Sequence, residues 1–189
     1  MRKIVFVDGS QGVGKSTLIS GLSTLTPTYV YKFPFSDYSK AFNLKSKESL
    51  KGFQLGKDLA TLYFMGKAYT VQPYPQVVDR GPLSTAYYSL TTGRMTEAEV
   101  EEFFKIMSEM VEHFSFVFIK PKNQTNFIRD KKDGFDRLKA LEVDPDKAIE
   151  TIVLLAKKYR IPLKVFENDF SVDIKKNVNN FYKLVKEEL

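Results

Sequence analysis

The chain has 189 residues, 43% of them hydrophobic and 28% charged, which are the proportions of one ordinary globular domain. It contains no cysteine and one histidine, His113, so a disulfide framework and a metal site built on Cys or on several His are excluded. The formal net charge is +6, and residues 1–95 hold 12 Lys and Arg against 5 Asp and Glu. This excess of positive charge favours an anionic ligand in the first half of the chain.

The N-terminal segment MRKIVFVDG is basic at its start, but its apolar run is short and ends at Asp8. Such a run is too short for the core of a signal peptide. No other apolar run approaches the length of a membrane span. We therefore expect a cytoplasmic protein without a membrane partner.

The first half of the chain predicts short apolar strands that alternate with helical segments. The predicted strands are residues 3–8, 28–33 and 75–79. The predicted helices are residues 14–25, residues 35–70 and a helix that begins at Pro82. Within 35–70 the glycines predict two pieces that meet around Gly52 or Gly56.

The second half continues the alternation. Thr96 and Glu99 form a capping-box pattern at the start of a helix predicted over 96–114. The further predicted elements are a strand at 114–120, a charged helix from 123 that leads into a mobile segment around Gly134, a helix from Asp144-Pro145 to about Arg160, a strand at 162–167 and a C-terminal helix. Five apolar strands that alternate with helices indicate an α/β fold, with one parallel sheet and helices on both faces.

The segment GSQGVGKST matches the pattern G-x-x-x-x-G-K-[ST], and it lies between a predicted strand and a predicted helix. Backbone N–H groups of such a loop, together with the helix N-terminus, surround phosphate groups. Lys15 is placed to reach the β- and γ-phosphates and the Ser16 hydroxyl to ligate Mg²⁺. The residues predicted to hold ATP are Gly9, Gln11, Gly12, Val13, Gly14, Lys15, Ser16 and Thr17. This loop makes the predicted fold a three-layer P-loop NTPase.

A small phosphotransferase is the P-loop class that suits this chain. The guanine-recognition pattern Asn-Lys-x-Asp of GTPase switches does not occur, and a large motor or helicase would need a longer chain. The acceptor side is predicted at VVDRGPLS, residues 77–84, where Asp79 ends a buried strand. The Asp79 carboxylate suits Mg²⁺ or its waters, and Arg80 suits an acceptor phosphate. The competing interpretation is a structural Asp–Arg pair.

DGSQGVGKST and VVDRGPLS together resemble the thymidylate kinases and their relatives among the deoxynucleoside kinases. Asp79, Arg80 and Ser84 match the family's second motif. Gly81 of this chain stands where that motif has a tyrosine. The segment YKFP resembles the family's Arg-Phe-Pro run, with Lys32 in place of the phosphate-contacting arginine and Phe33 following it. The resemblance implies phosphoryl transfer from ATP to a nucleoside monophosphate.

The resemblance also implies a lid over about residues 122–140, within one domain of residues 1–189. In RDKKDGFDR the candidate lid cations are Arg129, Lys132 and Arg137. Base recognition is expected from the helix around 53–70, where the candidates are Phe53, Gln54, Tyr63, Phe64, Lys67 and Tyr69. Related kinases are often dimers, so a homodimer is an expectation from the resemblance alone.

This chain departs from the family at positions that contact the substrate. Gln11 stands where thymidylate kinases typically have an aspartate near the sugar, and Lys120 stands where the family usually has Asp. The sequence therefore predicts a nucleotide kinase more strongly than it predicts a thymidylate kinase.

Two alternatives stay open. A kinase that acts on a hydroxyl of a nucleoside or of a nucleic acid would need a general base, for which Asp37 and Asp8 are the candidates. The basic first half would suit a polynucleotide, but no separate nucleic-acid-binding module is evident, so nucleic acid is not the favoured partner. A regulator that binds ATP without catalysis is the second alternative.

Overall fold

The computed structural model describes residues 4–32, 46–68, 74–122 and 143–189, without the side chains of Lys47, Lys67 and Ala68. The strands are Ile4–Gly9 (β1), Tyr29–Lys32 (β2), Gln76–Asp79 (β3), Phe114–Pro121 (β4) and Leu163–Asn168 (β5). The helices are Lys15–Leu25 (α1), Lys47–Ala68 (α2), Pro82–Thr91 (α3), Glu97–Ser108 (α4), Pro145–Lys158 (α5) and Ile174–Val185 (α6).

The strands form one parallel sheet in the order β2-β3-β1-β4-β5. The predicted fold class, a five-stranded parallel sheet between helices, is confirmed. The register aligns Val7 of β1 with Asp79 of β3 and Asp79 with Lys32 of β2. β2 and β3 therefore end level with Val7, two residues before the end of β1, which brings the residues that follow these three neighbouring strands together.

Alternating side chains of the strands supply two separate cores. Val5 and Val7 of β1 face the core under α1 and α6, whereas Ile4 and Phe6 face the core under α3, α4 and α5. Leu62 of α2 lies in this second core. The first core contains Val13, Leu18, Ile19, Leu22, Val117, Ile119, Phe166, Val178, Phe181 and Val185. Among the residues that the structure describes, no helix is long and apolar enough to span a membrane.

The prediction of two helical pieces around Gly52 or Gly56 is wrong for the described part of this region. Helix α2 runs without interruption from Lys47 to Ala68. A glycine inside a helix costs only about 1 kcal/mol relative to alanine. Packing of Leu55, Leu59 and Leu62 against the core is large enough to offset that cost.

Helix α4 begins as predicted but ends earlier. The capping box of Thr96 and Glu99 is present, and hydrogen bonds from Lys51 of α2 and from the Thr96 backbone lower the pKa of Glu99 to about 2. The helix ends at Ser108, and a 3-10 turn at Val111–His113 leads into β4. The apolar pattern continues beyond Ser108 because Val111 packs against the core from that turn.

Candidate active site

The loop between β1 and α1 has the backbone geometry of a phosphate cradle. Gly9, Gly12 and Gly14 have φ angles of 139°, 83° and 83°. Such positive angles are strained for other residues. Gly14 is the N-cap of α1, and the Leu18 amide donates to its carbonyl at 3.0 Å, so the helix starts directly at Lys15. The free N–H groups of the first helical turn therefore point into the loop.

Asn168, at the carboxyl end of the edge strand β5, supports this loop. Its Nδ2 donates to the Val13 carbonyl at 2.9 Å, and the side chain is buried. A Cβ at Gly14 would lie 2.5 Å from that Nδ2, so the close approach requires glycine at this position. The loop is thus held in one shape by a contact between residues 155 positions apart.

Phe170 follows Asn168 and lies at the edge of the loop. The same Cβ position on Gly14 is 3.6 Å from Phe170 Cε1, yet the side chain is 43% exposed. The segment that carries it is well braced, because Asp169 accepts from Lys122 Nζ at 2.8 Å and from the Ser171 amide at 3.0 Å. These contacts hold the backbone beside Phe170, whose aromatic side chain lies partly open to solvent next to the glycine loop.

Lys15 is 5% exposed, and its side chain folds back over the loop. Its Nζ donates to the Gly9 carbonyl at 2.9 Å and to the Ser10 carbonyl. Burial, together with the nearby Arg80 cation, lowers the pKa of Lys15 to about 7, although Asp79 and Asp8 oppose this change. An anion bound at this position would favour the charged lysine.

Asp8 connects the glycine loop to the start of α3. It is fully buried, and its Oδ1 accepts from the backbone N–H groups of Gly81 at 2.7 Å and of Ser84 at 2.8 Å. Ser84 Oγ accepts from the Gly9 amide at 3.4 Å. Burial raises the pKa of Asp8, although its hydrogen bonds with Ser84 and Gly81 favour the carboxylate. Asp8 therefore fixes the N-terminus of α3 against the glycine loop.

The tips of β2 and β3 carry charged side chains that face the same region. Asp79 is buried, and its Oδ2 lies 3.5 Å from the Nζ of Lys32, whose side chain is 64% exposed. Asp79 Oδ1 is also buried and has no hydrogen-bond partner among the described residues. A buried carboxylate oxygen in that state suits a cation or a water bound to one.

Arg80 has a φ angle of 72°, which is unusual for a residue with a side chain. Its amide donates to the Val7 carbonyl at 3.0 Å, which anchors the strained residue to β1. Its guanidinium lies 5.8 Å from the centre of the Tyr88 ring. Strained backbone of this kind clusters at functional sites. The half-buried Arg80 side chain lies against Tyr88 and close enough to Lys15 to lower its pKa.

The surroundings of Gly81 explain why this chain has glycine where the thymidylate-kinase motif has tyrosine. A Cβ at Gly81 would lie 2.3 Å from Phe6 Cδ1, so any side chain would displace a core aromatic ring. We expect Gly81→Ala to lower the free energy of unfolding by about 1–3 kcal/mol, as overpacking does. Gly52→Ala is the matched control, because a Cβ there meets nothing within 4 Å and should stabilise the helix by up to about 1 kcal/mol. Urea unfolding of both variants checks this, and a Gly81→Ala variant as stable as the parent would contradict it.

The donor set fits Mg²⁺. Ser16 lies exposed at the first turn of α1, and Asp79 offers its buried Oδ1. Magnesium typically takes one or two protein oxygen ligands and completes its shell with phosphates and water. The described ranges contain no cluster of three or more His, Asp and Glu that would hold a metal ion by itself, and an ion held jointly with phosphate does not need one.

The structure brings together most of the described candidates. The loop residues Gly9 to Thr17 lie at the carboxyl end of β1, beside Asp8, Lys32, Asp79, Arg80 and Ser84. Phe64 is different, because its side chain is 67% exposed and contacts the ring of Tyr63. The nearby Gly66 approaches Phe114, at the amino end of β4, so this part of α2 lies away from the loop. The candidates Phe33, Asp37, Tyr69, Arg129, Lys132 and Arg137, the Lys67 side chain and the lid segment lie outside the described residues.

Three residues near the site were missed by sequence reasoning: Asn168, Phe170 and Asp58. The rule that ligands meet the carboxyl ends of parallel strands would have drawn attention to Asn168 and Phe170, since β5 ends there. Asp58 gave no such signal. It lies inside α2, and its burial depends on packing that the local pattern does not reveal.

Comparison with known proteins relates the chain to nucleotide and nucleoside kinases through its fold. No family model matches the sequence, and no curated protein is similar to it in sequence. The thymidylate kinase of Candida albicans superimposes with a TM-score of 0.66 at 14% identity, over 98% of this chain and 92% of that one. The deoxyadenosine kinase of M. mycoides, solved with dCMP and dCDP, superimposes with a TM-score of 0.55 at 15% identity, over 97% of this chain and 98% of that one.

Proposed function

We propose that this chain is a kinase that transfers the γ-phosphoryl group of Mg·ATP to the phosphate of a nucleoside monophosphate. The observation that carries the proposal is the convergence of Lys15, Lys32 and Arg80 at the tips of three adjacent strands, beside the glycine loop. The similarity in fold to a thymidylate kinase and a deoxyadenosine kinase supports a nucleotide or a nucleoside as the acceptor.

The number of cations favours a phosphate acceptor. A glycine loop with its own lysine suffices to bind the donor phosphates. Lys32 and Arg80 lie beyond that loop and supply positive charge where a second anion would sit. A phosphate acceptor is already an oxyanion at neutral pH, so the reaction depends on positioning and charge neutralisation and needs no general base.

The geometry of Asp8 argues against its use as a base for a hydroxyl acceptor. Its Oδ1 is occupied by two backbone N–H groups, and the side chain has no exposed surface. A general base must lie within hydrogen-bond reach of the proton that it removes. We assign Asp8 the positioning of α3 against the loop.

Magnesium would be held by Ser16 and Asp79 together with the donor phosphates, and it would neutralise charge on the oxygens of the transferred group. The residues of the chain then divide the remaining work. The loop amides and Lys15 orient the triphosphate, while Lys32 and Arg80 hold the acceptor phosphate in line with it. Arg129 and Arg137 remain candidates for a lid that excludes water.

Phe170 is proposed to stack on the base of ATP. We expect Phe170→Ala to raise the Kd for Mg·ATP about tenfold, within the range of a lost base–aromatic contact. The Kd for magnesium tripolyphosphate, which has no base, should not change. Titration calorimetry with both ligands measures the difference, and Leu154→Ala is a matched control because Leu154 is also exposed, at 67%. Equal weakening of both ligands would show that Phe170 only shapes the loop.

The pKa of Lys15 predicts a pH dependence of ATP binding. Below about pH 7 the lysine is charged in the free protein, so binding takes up no proton there. Above that pH the free lysine is neutral and must be protonated when the triphosphate binds. The affinity should therefore fall about tenfold for each pH unit between about 7.5 and 9. Lys15→Arg stays charged over this range, so its affinity for ATP should not change with pH. An equal loss of affinity with pH in the parent and in the variant would show that Lys15 does not cause it.

One acceptor screen tests the proposed function. The protein is incubated with Mg²⁺ and γ-labelled ATP in the presence of nucleosides, nucleoside monophosphates or DNA with free 5′-hydroxyl ends. We expect label in nucleoside diphosphates only. Transfer to a nucleoside or a DNA end would establish the hydroxyl kinase instead, and tight ATP binding with no transfer to any acceptor would favour the non-catalytic regulator.

A further inference from the structure

Three charged side chains are buried together where the glycine loop meets the start of α3. We call them the buried charge cluster and define it as Asp8 of β1 with Lys57 and Asp58 of α2. Asp8 and Asp58 have no exposed surface, and the Lys57 side chain is 10% exposed. A buried ion pair is commonly no more stabilising than apolar side chains of the same volume, so packing alone does not explain the cluster.

Both carboxylates of the cluster contact the first turn of α3. Asp8 Oδ1 accepts from the backbone N–H groups of Gly81 at 2.7 Å and of Ser84 at 2.8 Å. The Asp58 carboxylate lies beside the Thr85 hydroxyl. The start of α3 is therefore held from β1 and from α2 at once, and the residue just before it is the arginine proposed to bind the acceptor phosphate.

Lys57 balances the charge of both carboxylates. Its Nζ lies 2.5 Å from Asp58 Oδ1, and its charge also acts on Asp8. Burial raises the pKa of Asp8 and of Asp58, and Lys57 opposes this for each by favouring the charged form. The charge of Asp8 also disfavours ionisation of Asp58. A cation beside the two carboxylates therefore keeps Asp8 a charged acceptor for the two N–H groups at the start of α3.

Lys15 also interacts with Asp8, from the side of the glycine loop. Its Nζ donates to the carbonyls of Gly9 and Ser10, and in the proposed reaction it would bind the phosphates of ATP. A bound anion would then share the charge of Lys15 with Asp8. Lys57 belongs to α2 and pairs with a buried carboxylate, so its charge stays with the cluster when the nucleotide is bound.

We propose that Lys57 is a positioning residue for phosphoryl transfer, because its charge lets the two carboxylates hold the start of α3, and with it Arg80, against the glycine loop. This inference rests on the proposed function and adds a residue of α2 to it. Lys57 acts through Asp8 and needs no contact with ATP or with the acceptor, so its burial is compatible with this role. Lys15 and Arg80 remain the residues that touch the phosphates.

The test measures kcat/KM for the nucleoside monophosphate found in the acceptor screen, with saturating Mg·ATP. The temperature is one at which thermal unfolding shows that each variant is fully folded. Lys57→Met removes the cation and keeps a side chain of similar length. Lys57→Met/Asp58→Asn also removes one carboxylate, so the net charge of the cluster returns to that of the parent. Lys51→Met is the matched control, because Lys51 lies on the same helix and pairs with Glu99 of α4.

We expect Lys57→Met to lose about 10–10²-fold of kcat/KM, the effect of a small misplacement of the groups that bind the substrate. The double variant should recover to within about threefold of the parent, because the two charges are coupled and their balance is what positions α3. Lys51→Met should stay within about twofold of the parent. A merely structural role of Lys57 would lower the unfolding temperature and leave kcat/KM of the folded protein unchanged.

A folded Lys57→Met variant with the kcat/KM of the parent would overturn the inference, and so would a loss that Asp58→Asn does not restore. If Lys57→Met does not fold, Lys57→Arg and the double variant decide, since both keep the net charge of the cluster. Activity like that of the parent in both supports the inference, and a loss of about tenfold or more in either folded variant overturns it. A parent that phosphorylates no acceptor defeats the proposed function instead.

Discussion

Lys15→Met abolishes most of the phosphoryl transfer while the protein stays folded. In the proposed reaction the Lys15 ammonium would lie beside the transferred phosphoryl group, and among the described residues no other cation donates to the carbonyls of that loop. Loss of one preorganised charge at such a position typically lowers kcat by about 10²–10³-fold. Steady-state kinetics with the acceptor found in the screen measures this.

The unfolding behaviour of the same variant separates a catalytic effect from a structural one. Methionine removes an unfavourable buried charge but leaves the Gly9 and Ser10 carbonyls without their donor, so the free energy of unfolding should stay within about 1–3 kcal/mol of the parent's and the variant should remain folded. Lys105→Met is the control, since Lys105 is a solvent-exposed lysine on α4. Equal activities of the two folded variants would remove Lys15 from the reaction.

Arg80→Lys lowers kcat/KM for the monophosphate about 10²-fold while the Kd for Mg·ATP changes little. Lysine keeps the charge but lacks the planar fork that holds a phosphate through two parallel hydrogen bonds. The measurement is the kinetics of both substrates, each varied at saturation of the other. A rise in the KM for ATP alone would show that Arg80 binds ATP and not the acceptor phosphate, which would contradict the proposed role.

Glycine at the same position removes the Arg80 side chain and relieves the backbone strain, so it tests the role of the side chain in a protein that should be more stable than the parent. Arg80 and Arg160 are the non-glycine residues with positive φ, at 72° and 54°, in the described part of the chain. Relief of this strain should make both Arg80→Gly and Arg160→Gly more stable by about 1 kcal/mol. Only Arg80→Gly should lose activity, because Arg160 follows α5 and is not part of the proposed site. Comparable activity in both would contradict the role of Arg80.

The fold was largely predictable because its signals are local. Short β-branched runs such as residues 4–8, the Thr96–Glu99 capping box and Pro82 at a helix start act within a few residues. The errors arose where tertiary packing decides. Gly52 and Gly56 did not break α2, because the leucines beside them are buried in the core.

The candidate site was predictable where its residues share one loop or one strand end. Lys15, Asp79 and Arg80 follow from the glycine pattern and from the end of a buried strand. The contact of Asn168 with Val13 joins residues 155 positions apart, and Asp8 binds amides more than 70 positions away. No spacing in the sequence encodes such contacts, so Asn168, Phe170 and Asp58 emerged only from the structure.

The most direct test of the account is a calorimetric titration of folded protein with ATP in the presence of Mg²⁺. The geometry of Gly9–Lys15 predicts uptake of one ATP per chain, with binding strongly weakened in the folded Lys15→Met variant. Absence of binding to the folded parent protein would contradict the claim that this loop holds a triphosphate, and with it the proposed kinase function.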